Sequence, residues 1–235
     1  SAASDVYKRQ MVTFVAPTPR FTPSQRWSFK NNVMCGIWLG PWLELLWRFG
    51  FAHIDWLRYW QRVLFVTLIA AFNTLLALVE WWRFGSKIRE QPIHPRPLFI
   101  LGHPRTGTTL LHNLIAKDTH NFGFCSTFCA GFPTCFLWFE KYKWMLAGMV
   151  DDKRPMDNME LSLDVPQEDE LAVSVMSAGV SPYMPLTFMT AEPTFRPYFS
   201  FRDDCPPADA KRWTETFLHM LRKLTLRCGG KRLLL

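Results

Sequence analysis

The sequence predicts an α/β protein in which a parallel sheet carries helices on both faces, preceded by an apolar helical region. Three observations carry that prediction. A short apolar run, Leu98-Phe99-Ile100-Leu101, passes directly through a glycine-bounded turn into a leucine-rich helix. Helical patterns then recur over residues 168–176 and 209–227, ahead of a second apolar run at Leu233-Leu234-Leu235. Tryptophan is also unevenly spread: eight of the eleven fall in the first 82 residues, which points to two regions built for different surroundings. With 235 residues, 49% of them hydrophobic, the chain is long enough for a sizeable core, and disorder or a disulfide-stapled miniprotein is excluded.

Residues 1–10 read as a translated sequencing adapter ahead of Met11 and are set aside. Residues 11–36, with Pro17, Pro19 and Pro23, read as a loose leader. Over residues 37–51 the apolar side chains Leu39, Trp42, Leu43, Leu46 and Trp47 recur at three and four, which predicts an amphipathic helix. Residues 63–79 then run 17 positions without a charge. As a helix they would measure roughly 25 Å against a hydrocarbon core of about 30 Å. Trp56, Tyr59 and Trp60 stand at one end and Trp81 and Trp82 at the other, like two aromatic belts. Basic residues flank both ends (Arg58, Arg62, Arg83, Lys87, Arg89), so orientation is open. A membrane helix over residues 60–82, a helix lying in the interface and a buried soluble helix all fit. Membrane association, at the Golgi or another endomembrane, is the expectation, with a cytoplasmic protein as the alternative.

Gln91-Pro92 and Pro95-Arg96-Pro97 close the helical region of residues 37–90 and open the α/β region of residues 96–235. The final apolar run reads as a buried strand, so the chain is expected to continue further. The net charge of +7 suits an anionic ligand or a phosphate-rich surface, but no run of five basic residues marks a nucleic-acid patch. None of the six cysteines forms Cys-x-x-Cys, and buried free thiols are expected at Cys125 and Cys129.

The chemistry concentrates in Gly102-His103-Pro104-Arg105-Thr106-Gly107-Thr108-Thr109. Gly102 and Gly107 stand five apart, the spacing of a loop that wraps a phosphate in backbone N–H groups. Thr108 and Thr109 open the following helix, whose N-terminal amides and dipole favour an anion. Nucleotide hydrolases place Gly-Lys-Ser/Thr where this chain has Gly107-Thr108-Thr109, so the lysine that reaches the β- and γ-phosphates is missing. Positive charge sits inside the loop instead, at Arg105, where a planar guanidinium can straddle the oxygens of a transferring group.

This loop resembles the 5′-phosphosulfate loop of the sulfotransferases, which use 3′-phosphoadenosine 5′-phosphosulfate as donor. The resemblance extends to Pro166-Gln167-Glu168-Asp169-Glu170, to Lys153-Arg154-Pro155-Met156-Asp157-Asn158-Met159 and to Lys223-Leu224-Thr225-Leu226-Arg227, and covers about residues 60–235. It is similar to a large microbial and algal branch of that family. The resemblance implies a three-layer α/β/α fold of the phosphate-loop type. It implies that His103, Pro104, Arg105, Thr106, Gly107, Thr108 and Thr109 hold the donor's phosphosulfate. The family completes its donor site later in the chain with an Arg and a Ser on the 3′-phosphate, and neither is found here.

Sulfuryl transfer to a hydroxyl or amine needs a base for the acceptor's proton and charge stabilisation for the leaving phosphate. Glu168 is the first candidate base and Glu170 the second, since like charges packed together raise a carboxylate's affinity for protons. Helix N-terminal charge complementarity explains the same acidic trio without catalysis. His112, one helical turn beyond Thr109, and His103 are competing bases. No metal is expected, because Arg105 and the loop amides supply the positive charge. The expected acceptor is a carbohydrate, a lipid or a small metabolite. Two other readings stay open: a kinase with a degenerate phosphate loop, and a non-catalytic membrane-associated scaffold.

Overall fold

A computed structural model describes residues 29–102, 106–153, 159–202 and 204–235. The first helix, α1 (Leu39–Leu45), continues into a π-helical turn at Leu46–Gly50 and a short turn at Phe51–His53. The amphipathic pattern predicted one uniform helix here. The wider π turn breaks that uniformity while Trp42, Leu45 and Phe49 all stay in the core.

Helix α2 (Trp56–Glu90) extends well beyond the 17 uncharged residues. Asp55 caps it by accepting from the Arg58 amide, Lys87 and Arg89 complement the dipole in its last turn, and Gln91-Pro92 ends it. The α/β region follows: α3 (Thr108–Ile115), β1 (Phe122–Phe124), α4 (Thr127–Gly131), and α5 (Phe136–Phe139), which runs into a 3₁₀ segment at Glu140–Met149. Next come α6 (Asp169–Met176), α7 (Glu192–Phe195), α8 (Pro207–Arg227) and β2 (Arg232–Leu234).

β1 and β2 pair in parallel, with Gly123 opposite Leu233. On the other side of β2, the Leu98 amide donates to the Leu233 carbonyl at 2.8 Å, and the Leu235 amide donates to the Leu98 carbonyl at 2.9 Å. The Ile100 amide adds a bond to the Leu235 carbonyl at 2.7 Å. β2 therefore lies between the segment that leads into the loop and β1. The sequence predicts a full strand over residues 98–101; the structure shows one parallel bridge, Leu98 to Leu234, with the further hydrogen bond from Ile100 to Leu235.

Two apolar clusters make the core. One gathers Phe128, Phe136, Phe139, Met220, Leu224 and Leu233 around the sheet. The other gathers Trp42, Leu45, Phe49, Val66, Phe188 and Phe195. α2 contributes to both, through Leu76 to the first and through Val66 and Ala70 to the second. It also carries a buried charge: Glu80 is 3% exposed and forms an ion pair with Lys223 of α8, itself 1% exposed. The pair is fully dressed, since Lys223 donates to the Pro133 carbonyl and Glu80 accepts from the Leu137 amide at 2.8 Å.

Candidate active site

The loop's two glycines are required by geometry. Gly107 occupies the left-handed region at φ = +89° and stands as the N-cap of α3. A Cβ on Gly102 would lie 2.5 Å from Thr108 Cγ2 and 3.1 Å from Thr106 Oγ1, so the chain closes over the helix start only with glycine there. The first turn of α3 carries the Thr108, Thr109 and Leu110 N–H groups at its opening. His103, Pro104 and Arg105 lie outside the described residues, as do Arg154, Asp157 and Asn158.

One turn further along α3, His112 is buried, with its ring edge-on to Phe124 of β1 at 6.5 Å between centroids. Its Nε2 finds no hydrogen-bond partner among the described residues. Burial holds the imidazole below its ordinary pKa, and the Glu168 carboxylate pulls the other way. The charge of Glu168 is thus felt at the His112 ring.

The chain reaches this position through hydrogen bonds to the end of β1. The Thr127 amide donates to the Val165 carbonyl at 2.9 Å, and the Gln167 amide donates to the Cys125 carbonyl at 2.8 Å. Glu168 then takes the N-cap position of α6 and accepts a hydrogen bond from the Tyr183 hydroxyl. The loop follows the segment paired with β2, and Glu168 follows Gln167, whose amide is bonded to Cys125 just past the carboxyl end of β1, the edge where ligands bind in such folds.

The acidic trio does not act as one cluster. Glu170 turns to α8 and its neighbourhood: Ser181 Oγ donates to it at 2.7 Å and Trp213 Nε1 at 3.2 Å. Burial pushes Glu170 up to about 7, against the lowering effect of those two donors. Asp169 is pushed up to about 6, again chiefly by burial. The sequence attributes raised carboxylates to mutual repulsion, but desolvation is the larger cause and the neighbouring charges add to it. Tyr183, Ser181 and Trp213 carry no signal in the sequence, because the first two reach the trio from the loop after α6 and the third from α8, with no shared period.

A pH dependence follows. A carboxyl whose folded pKa is raised keeps its proton where the unfolded chain has lost it, so stability falls as pH rises through that interval. For Glu170 the interval runs from the ordinary 4.5 of a glutamate to about 7. Urea melts of the full-length protein should show stability falling across this range, by up to about 3 kcal/mol. Glu170→Gln should flatten the slope; an unchanged slope in that variant would locate the effect elsewhere.

Other candidates take structural roles. Arg227 makes a two-pronged ion pair with Glu140, both contacts at 2.7 Å, and reaches the Phe124 carbonyl at 3.3 Å. Cys125 and Cys129 are buried free thiols, as expected, and burial pushes Cys129 up to about 11. Among the described residues no group of three or more His, Cys, Asp and Glu side chains is placed to hold a metal ion.

Residues 97–185, which contain the loop, α3, β1, Glu168 and Tyr183, match the sulfotransferase family. The omega-hydroxy-beta-dihydromenaquinone-9 sulfotransferases Stf3 of Mycobacterium bovis and Mycobacterium tuberculosis are each 33% identical to this chain over 211 residues. Those alignments cover 87% of this chain and 52% of each relative, so the chain spans about half the length of the curated relatives it matches. No solved structure matches it. On these sequence matches the chain belongs to the sulfotransferase family.

Proposed function

We propose that the protein transfers a sulfuryl group from 3′-phosphoadenosine 5′-phosphosulfate to a hydroxyl of an apolar, lipid-like acceptor. The observation that carries the reading is the start of α3, where Gly107 at φ = +89° opens a helix that follows a segment hydrogen-bonded to the parallel sheet. The fold assigned is the three-layer α/β/α phosphate-loop type, with residues 96–235 as sulfotransferase-domain chain and residues 37–90 as its helical partner. His103, Pro104, Arg105, Thr106, Gly107, Thr108 and Thr109 hold the phosphosulfate. The acceptor class is inferred from the mycobacterial relatives, whose names specify a hydroxylated menaquinone derivative, and from the exposed apolar residues of α2.

In the reaction the acceptor oxygen attacks sulfur in line, forming a new S–O bond as the bond from sulfur to the phosphate's bridging oxygen breaks. Glu168 takes the acceptor's proton, and Tyr183 orients the carboxylate that receives it. Glu170 and His112 are the alternative bases. Arg105 and the amides opening α3 stabilise charge on the leaving phosphate, and 3′,5′-adenosine bisphosphate is released.

The test is calorimetric. The full-length protein should bind 3′,5′-adenosine bisphosphate about 10- to 100-fold more tightly than 5′-AMP, as expected for charge-assisted bonds to the additional phosphate. Equal affinities would remove the donor assignment, and magnesium-dependent ATP binding in their place would favour a kinase.

A further inference from the structure

We propose that α2 lies in the plane of an anionic lipid surface and seats the protein there by its outward face, without crossing the bilayer. This deepens the lipid-acceptor reading by stating how the protein meets the lipid.

The inward face of α2 belongs to the folded body along the stretch that hydrocarbon would have to surround. Thr67 Oγ1 accepts from Trp42 Nε1 at 2.9 Å, and Thr74 Oγ1 accepts from the Leu39 amide at 2.9 Å. Between them, Asn73 Nδ2 donates to the Cys35 and Ile37 carbonyls at 2.7 and 2.9 Å. Six residues beyond Thr74, Glu80 is paired with Lys223. A bilayer wrapped around this stretch would have to enclose α1 and α8 as well. Those helices carry the half-exposed Glu44–Arg212 ion pair, at 2.7 Å, with Arg48 beside it. Each such charge costs about 2.5–3.5 kcal/mol or more at bilayer depth. Crossing is therefore disfavoured by the packing that makes α2 part of the fold.

The outward face is a different surface. Leu57, Leu64, Leu68, Phe72, Leu75 and Trp82 recur on one side, and Leu57, Leu68 and Trp82 are 88%, 63% and 79% exposed. From Leu57 to Trp82 the stripe runs about 38 Å at 1.5 Å per residue, with no charge on it. A core helix would have this face covered. Trp47 and Phe51, just ahead of α2, are also exposed and extend the apolar area. Cations gather at both ends of the helix, Arg58 and Arg62 at one and Arg83, Lys87 and Arg89 at the other. The acids among these positions are fewer: Asp55 caps the helix, Glu80 is buried on Lys223, and Glu90 stands at the end. An apolar stripe with tryptophans near its ends and basic residues around it matches an in-plane helix on anionic headgroups.

Flotation of the full-length protein tests the proposal. It should float with phosphatidylcholine–phosphatidylglycerol vesicles and several-fold less with phosphatidylcholine alone. Leu68→Glu with Leu75→Glu should lower the floated fraction about tenfold or more, with unchanged binding of 3′,5′-adenosine bisphosphate. In sealed vesicles from expressing cells, an impermeant maleimide applied from one side should modify both an Ala52→Cys and a Glu90→Cys variant. Labelling of only one end would show a crossing helix, overturning the in-plane arrangement while leaving membrane association intact. Failure to float on either vesicle, or flotation untouched by the two glutamates, would overturn the docking face. Retained adenosine bisphosphate binding in those cases separates this failure from failure of the donor assignment.

Discussion

Glu168→Gln is expected to lower kcat by about 10²- to 10⁴-fold, the usual contribution of a general base, while 3′,5′-adenosine bisphosphate still binds. Glu168 is the member of the acidic trio whose charge is felt by His112 on α3, the helix that opens from the loop. The amide keeps the size of the carboxylate and still offers an oxygen to the Tyr183 hydroxyl, so the surroundings should hold. Glu170→Gln serves as the contrast, because Glu170 is occupied by Ser181 and Trp213. It should alter stability against pH far more than kcat. Single-turnover sulfuryl transfer with both variants decides the matter. A collapse of kcat in Glu170→Gln with little change in Glu168→Gln would move the base to Glu170.

Lys223→Met is expected to destabilise the fold by about 3–5 kcal/mol, measured as a lowered urea midpoint in the full-length protein. The loss comes less from the missing attraction than from Glu80, which would remain buried and charged without a counterion. Lys223 also lies 4.4 Å from the centroid of the Phe136 ring, so its removal loosens the contact between α8 and α5. Glu80→Leu combined with Lys223→Met should recover much of the loss, since an apolar pair of similar volume suits this site. A single substitution costing under about 1 kcal/mol would show that water reaches Glu80 and that the pair is not sealed.

The parts of the protein that depend on neighbours in sequence were legible before the structure. Residues 209–227 read as a helix and extend by only two positions in α8, and the start of β2 follows the two glycines as expected. The turn between Gly102 and Gly107 read as a phosphate loop; Gly107 takes a left-handed backbone, and a Cβ on Gly102 would press on the Thr108 side chain. What stayed hidden depends on partners far along the chain. Glu80 falls inside the expected membrane helix of residues 60–82 with no counterion visible in the sequence, and the structure supplies one from another element, Lys223. Glu168 and Glu170 looked equivalent, two positions apart in one acidic run. They separate because Tyr183 takes one while Ser181 and Trp213 take the other. No period or motif in a sequence encodes which tyrosine reaches which carboxylate.

The central place of β2 has a consequence for how the molecule comes into being. The segment entering the loop is synthesised early, yet its ladder partners, Leu233 and Leu235, come only after α3 to α8. During translation the ribosome has made every other described element from α3 to α8 before β2 appears. Parallel pairing across so long a separation is slow, because the intervening chain must be ordered before the contact forms. The segment leading into α3 therefore gains its ladder bonds only once β2 has emerged. A nascent chain whose helices have already condensed still presents an open edge beside Leu98, the kind of edge that invites mispairing and calls for chaperone cover.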